Sequence, residues 1–437
     1  MRFRRIALGF AVAGATVVHA GAPSVSEVTM SQAQSRLVTI TYSLDMPAVV
    51  TLDIQTNAVS SAGSTNWVTI GGENIGSVVG DANILVKEAG THTIYWQPDK
   101  SWPNHRIRDN GARAVVRAWA SDAPPDWMMI DLSAPSNVYF YASVAALPYG
   151  HPTNAAYKTT CLLMRKISAA GRSFRMGLCA GEGLQSCFVD GSTYTSWGDF
   201  QNFITKAAPH LVSFTNDYYI SIFQFTDGQQ VLATGAGSNR YRDSNTKIEP
   251  YDECPSSRGS YGELRGAYDA SKWNWPRHAH EISSSSVIGK IRQFTGVEVD
   301  LPTEAQWEYA CRAGESRYRY DGAFTAIAEG AGELGWYNGN SGNKMHPVGL
   351  KKPNAWGIYD MYGNGYEWCL DYYEAGYTGC GTVEPTGPEK DSGDRVLRGC
   401  RPSHDARYMS SAWRLNFSRG SNDDWNTFRL AAPAVAK

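Results

Sequence analysis

Pro353-Asn354-Ala355-Trp356-Gly357-Ile358-Tyr359-Asp360-Met361-Tyr362-Gly363-Asn364-Gly365-Tyr366-Glu367-Trp368-Cys369 is the stretch on which the reading of this chain turns. Five aromatic residues alternate with three glycines, two asparagines and two carboxylates. The rings call for burial, and buried tryptophan and tyrosine usually need a polar partner. The glycines permit backbone that other residues resist. Asp360 and Glu367 therefore sit in a tight aromatic loop, where a charge without a partner is costly. Two readings follow. Either both carboxylates are solvated at the edge of a turn, or a hard cation such as Ca²⁺ gathers them with backbone carbonyls.

Outward from this stretch, the whole chain has 437 residues, room for two or three domains. With 43 glycines, 14 tryptophans and 24 tyrosines it reads as loop-rich and β-biased. A net charge of −2 gives no reason to expect nucleic acid or an anionic membrane as partner. Residues 1–20 read as a signal peptide: Arg2, Arg4 and Arg5, an apolar run from Ile6 to Val18, then Val18-His19-Ala20 as cleavage site. No later stretch is long enough to span a membrane. The expected location is outside the cytoplasm: periplasmic, cell-surface or secreted. Export permits disulfides, and all eight cysteines lie after residue 160. Their pairing is not readable from sequence, and the absence of CxxC argues against a zinc ribbon.

Residues 25–133 carry short β-rich runs: Val38–Tyr42, Ala48–Ile54, His92–Trp96 and Ala114–Trp119. About seven such strands across roughly a hundred residues predict an immunoglobulin-like sandwich. The run Gly90-Thr91-His92-Thr93-Ile94-Tyr95-Trp96 resembles the Ig-like module of flagellar hook-assembly proteins, which implies a spacer or adhesion role. His92 and His105 are expected to be structural or exposed. A linker is expected at 134–152, its approach stiffened by Pro124-Pro125.

A second domain is expected over 153–437. Tyr157–Ser168, Ser173–Leu178 and Tyr218–Thr226 read as strands, and Trp197, Phe200, Phe203 and Ile204 as a helical core stripe. His278-Ala279-His280-Glu281 has an HxH spacing without recognisable further ligands, so it reads as a loop pair. Val287, Ile288, Ile291 and Phe294 form a helical stripe stopped by Gly296. Thr303-Glu304-Ala305-Gln306 is a capping box opening a helix with Trp307, Ala310 and Cys311 on one face and Gly314 at its end. Glu304 and Glu308 need no catalytic role.

Leu301–Gly314, His346-Pro347-Val348-Gly349, the opening stretch, Arg395–Gly399, Ser410–Arg414 and Phe428–Ala431, in this order, closely resemble the formylglycine-generating enzyme (sulfatase-modifying factor) family across about 153–434. The resemblance implies an α+β, loop-rich, C-type-lectin-like fold. It implies an activity as well: oxidation of a sulfatase cysteine to formylglycine with O₂ and copper held by two thiolates, ligands that suit Cu(I). By the same resemblance Asp360, Gly363, Gly365 and Glu367 correspond to a calcium site, whereas nothing carries over firmly to the Asn338–Asn343 loop. The thiolate segment departs from the pattern. Arg398-Gly399-Cys400-Arg401-Pro402-Ser403-His404-Asp405-Ala406-Arg407-Tyr408-Met409 holds one cysteine. Cys400 is thus the sole catalytic candidate. It reads either as a disulfide partner, for instance of Cys369 or Cys380, or as a metal ligand with His404 and Met409. Adjacent Ser403, His404 and Asp405 do not form a hydrolase relay. Copper is therefore doubtful. The expectation is an exported module binding a protein or glycan, with an altered oxidase and a purely structural surface protein as alternatives.

Overall fold

The computed structural model describes residues 21–59, 65–105, 111–177, 207–238, 250–257, 259–266, 273–274, 279–280, 282–317, 319–321, 330–389 and 392–437. The expected signal peptide at 1–20, the expected stripe from Trp197 to Ile204, Cys179, Cys187, His278 and Glu281 lie outside them, as does the side chain of His280.

Two antiparallel sheets face each other in the first unit. One has the order β1-β2-β7-β5, with β1 Val25–Gln32, β2 Val38–Leu44, β5 Val78–Gly80 and β7 Gly90–Trp96. The other is built on β3 (Ala48–Val59), with β4 (Thr65–Thr69) and β6 (Ile84–Val86) on one side and β8 (Ala112–Trp119) on the other. Strict alternation explains the packing. Val38, Ile40, Tyr42 and Leu44 point inward from β2 to meet Val50, Leu52 and Ile54 of β3. His92 is structural: Nδ1 lies 2.8 Å from Asp81, and the ring stacks on Tyr42.

The domain division expected from sequence needs one correction. Trp127–Asp131 (β9) falls in the segment assigned to the sandwich, and Asn137–Tyr141 (β10) in the segment assigned to the linker. Both belong to the five-stranded antiparallel sheet of the second unit, ordered β10-β9-β11-β14-β21. Its other strands are β11 Cys161–Ile167, β14 Tyr218–Ser221 and β21 Ala431–Pro433. The physical reason is burial on both faces: Met128 and Ile130 enter one core while Trp127 and Met129 enter another. The units also touch. Val49 joins the core of Met128 and Ile130, and Phe140 N donates to Asn83 O at 2.7 Å.

Beyond β12 (Ser173–Met176) paired with β13 (His210–Ser213), and β15 (Trp273–Asn274) with β16 (Ala279–His280), a second sheet runs β19-β18-β17-β20. These are β17 Gly365–Tyr372, β18 Asp394–Cys400, β19 Arg414–Ser418 and β20 Asn426–Thr427. Every residue of β17 is buried. The capping-box helix spans Glu304–Arg312, with Thr303 Oγ1 accepting from Gln306 N and Gln306 Oε1 accepting from Thr303 N. Its left-handed terminus falls on Ala313 at φ 47°, one residue before the glycine expected to close it. The Val287–Thr295 helix stops at Gly296 as its stripe predicts. The expected strand at Tyr157 begins only at Cys161, because Ala156–Thr159 makes one helical turn first. No described helix is long and apolar enough to cross a membrane.

Candidate functional site

The opening stretch forms the loop that leads into β17, and its small and amide residues are dictated by space. A Cβ on Gly363 would lie 2.4 Å from Trp336 O, and one on Gly365 would lie 2.6 Å from the Thr427 methyl. Asp360 and Asn364 take left-handed backbone at φ 57° and 68°, which such residues tolerate. Two asparagines act as clamps. Asn354 Nδ2 donates to Ala310 O and Cys311 O at the end of the Glu304–Arg312 helix, while its Oδ1 accepts from Trp356 N and Ile358 N. Asn364 exchanges two bonds with the His346 backbone.

The motif's carboxylates have different surroundings. Glu367 meets Arg429, whose Nε and Nη2 donate to its two oxygens at 2.6 and 2.7 Å, and Trp307 Nε1 adds a third bond at 2.6 Å. Arg429 also donates to Ser221 O and Tyr359 O. Asp360 is wholly buried, and its Oδ2 accepts from Gly349 N at 2.7 Å. Its Oδ1 has no hydrogen-bond partner among the described residues. Burial is the main reason its carboxyl is pushed up to about 6. Sequence reading missed Gln224. Its Nε2 stands 3.4 and 3.3 Å from the carbonyls of Gly363 and Gly365, and its buried Oε1 lacks a partner among the described residues. The one available signal was an amide inside the otherwise apolar Ile222-Phe223-Gln224-Phe225.

The carboxylates of the capping-box helix are consumed by arginines, as expected of structural groups. Glu304 takes Arg414 bidentately at 2.7 Å, and Glu308 is shared by Arg398 and Arg312.

Around Cys400 the side chains are largely buried. The Cys400 thiol is buried and donates to Arg401 O at 3.5 Å, and burial pushes it well above the usual thiol range. His404 Nδ1 lies 3.0 Å from Tyr366 Oη, and its ring packs on Tyr408. Burial, then nearby Arg401, lowers the imidazole to about 4, so it is neutral at pH 7. Among the described residues Cys161, Cys254, Cys311, Cys369, Cys380 and Cys400 are free thiols, so Cys400 is not bonded to Cys369 or Cys380. Cys369 and Cys400 are fully buried in the apolar core they share with Cys311. Among the described residues no cluster of three or more His, Cys, Asp or Glu side chains could hold a metal ion. Cys400 is the one cysteine of the Arg398–Met409 segment, and Cys179 and Cys187 lie outside the described residues.

A profile described as the sulfatase-modifying factor enzyme 1-like domain matches residues 183–434. The chain belongs to this family. Similar sulfatase-modifying-factor proteins include the formylglycine-generating enzyme of Bos taurus, 31% identical over 169 residues, covering 36% of this chain and 45% of that protein. The formylglycine-generating enzyme of Streptomyces coelicolor is 34% identical over 148 residues, 31% of this chain and 46% of its own. The chain thus spans about half the length of the curated relatives it matches. Among solved structures, Treponema denticola variable protein 1 aligns with a TM-score of 0.46 at 22% identity, over 63% of this chain and 96% of that one.

Proposed function

We propose that this sulfatase-modifying-factor-family protein is an exported binding module for a protein or glycan, its immunoglobulin-like first domain serving as spacer. What supports the reading is Cys400, a buried thiol and the one cysteine of the Arg398–Met409 segment, where the family resemblance implies two. Mixing the full chain with Cu(I), O₂ and a Cys-x-Pro-x-Arg peptide is expected to yield no aldehyde by mass spectrometry. An aldehyde product that disappears in Cys400→Ser would replace this reading with a formylglycine-generating oxidase of altered metal site. That alternative draws on the names of the curated relatives and on His404 and Met409 in the same segment.

The loop itself we read as a structural calcium site. Its donors would be Asp360 Oδ1, the carbonyls of Gly363 and Gly365, and Gln224 Oε1 turned towards them, with Glu367 as counter-ion to Arg429. Hard oxygen donors of this kind suit Ca²⁺, and two of them are otherwise buried without a partner. The Gln224 side-chain amide already lies against the two carbonyls, its Nε2 at 3.4 and 3.3 Å. Calcium at about a hundred times its dissociation constant is expected to raise Tm by roughly 5–10 °C over chelator-treated protein. Asp360→Ala and Gln224→Ala should each erase that difference. An unchanged Tm in wild type would remove calcium from the account.

A further inference from the structure

Where the two units meet, β9 and β10 leave a cavity of about 170 Å³ against the first unit. Strand register builds one of its walls. Asp131 of β9 stands opposite Asn137 of β10 and Met129 opposite Tyr139, so Asp131, Met129, Tyr139 and Tyr141 share one face of the sheet. Met129 and Tyr141 are buried, Tyr139 and Asp131 are half-buried, and Tyr149 stands at the open end, 40% exposed. The first unit supplies the facing wall through the short helical turn Gly72–Ile75 and through Asn83, whose carbonyl accepts from Phe140 N. A side chain on Gly72 would collide with the Ala146 carbonyl, so the two walls already touch at their backbones and the cavity keeps its width.

The lining carries a single formal charge. It has no lysine, arginine or histidine, and Asp131 is its one carboxylate. Asp131 Oδ1 accepts from Ser133 N and Ser133 Oγ at 2.9 and 2.6 Å, whereas Oδ2 accepts from nothing among the described residues. Cations on the neighbouring segments are committed elsewhere, Lys158 to Glu253 and Arg165 to Asp126. Burial raises the phenols of Tyr139, Tyr141 and Tyr149, and the Asp131 carboxylate adds to this at Tyr139 and Tyr149, so all three stay neutral at pH 7. A metal ion would need several hard oxygen ligands, and one unengaged carboxylate oxygen does not supply them. An organic cation needs only electron-rich rings and a counter-charge.

We propose that this cavity binds a small organic ammonium ion of the choline kind, its alkylated nitrogen among Tyr139, Tyr141 and Tyr149 and its charge balanced by Asp131. The volume lies below the roughly 300 Å³ at which drug-sized sites begin, which restricts the ligand to a compact cation. Glu73, on the same short turn as Gly72, stands beside Gly150 at the open end, where a Cβ would lie 2.6 Å from its Oε2. A second carboxylate there disfavours a phosphate-bearing headgroup, so the ligand is the free cation rather than phosphocholine.

Titration calorimetry on the full chain with choline chloride is expected to show saturable binding tighter than about 1 mM. Two comparisons need only wild type. Neohexyl alcohol, the uncharged carbon analogue of choline, and phosphocholine should each bind at least about tenfold more weakly. Asp131→Asn keeps the oxygen that accepts from Ser133 and removes the charge, so affinity for choline should fall at least about tenfold with Tm close to wild type. Tyr149→Ala removes an exposed ring and should weaken choline at least about threefold. The proposal is overturned if choline binds more weakly than about 1 mM, if the uncharged alcohol or phosphocholine matches it, or if calcium displaces it. It is overturned too if folded Asp131→Asn or Tyr149→Ala retains the affinity of wild type.

Discussion

Glu367→Ala is expected to lower the unfolding free energy by about 3–5 kcal/mol, the usual cost of removing one partner from a buried ion pair. Glu367 and Arg429 have no exposed side-chain surface, and they meet through two bonds of 2.6 and 2.7 Å. Without the carboxylate, Arg429 keeps only the Ser221 and Tyr359 carbonyls, and Trp307 Nε1 loses its acceptor. The damage comes from the charge left behind rather than from lost packing. Glu367→Leu with Arg429→Met should therefore recover most of the loss, because well-packed apolar replacements of such pairs are often neutral. Urea unfolding of the two single variants and the double variant measures this directly. A single variant within about 1 kcal/mol of wild type would mean the guanidinium finds water.

The second large effect depends on pH. Asp371 is buried, and burial, then the neighbouring Glu304 carboxylate, push it up to about 8, against the opposing bond from Glu304 N at 2.7 Å. In the unfolded chain an aspartate releases its proton near pH 4. Between these values the folded state holds a proton that the unfolded state has lost, so stability falls as pH rises through this range. The contribution is greatest below about pH 4 and is lost by the time pH passes 8. Asp371→Asn fixes the neutral form. Its stability relative to wild type should therefore grow by a few kcal/mol between pH 5 and pH 8, as read from urea midpoints. Parallel profiles for the two proteins would show that Asp371 is charged in the fold.

Legibility in the sequence followed the range of the interaction. The Thr303–Gln306 capping box and the Gly296 stop are local, and they stand where their spacing places them. The arginines of the closing motifs could be recognised, but their partners Glu304, Glu308 and Glu367 lie tens of residues away, where no spacing rule reaches. Gln224 was hidden for a related reason: its significance comes from two carbonyls that lie 139 and 141 residues further on. The apolar run Trp127-Met128-Met129-Ile130 followed two prolines, and its lack of alternation, the mark of a strand buried on both faces, went unread. The disulfides were inferred from an export signal and a cysteine count, neither of which says where a side chain packs.

The last strand of the central sheet has a consequence for the order of folding. β21 lies against β14, and Leu430 N reaches Ser221 Oγ across 209 positions, while β9 enters the same sheet from the other end of the domain. A ribosome must therefore release residues beyond 430 before this sheet can close, and Arg429 arrives for Glu367 only then. Such distant pairings are slow to form because a long loop must be closed before any contact rewards it. The first unit, whose strands all lie within 25–119, faces no such wait.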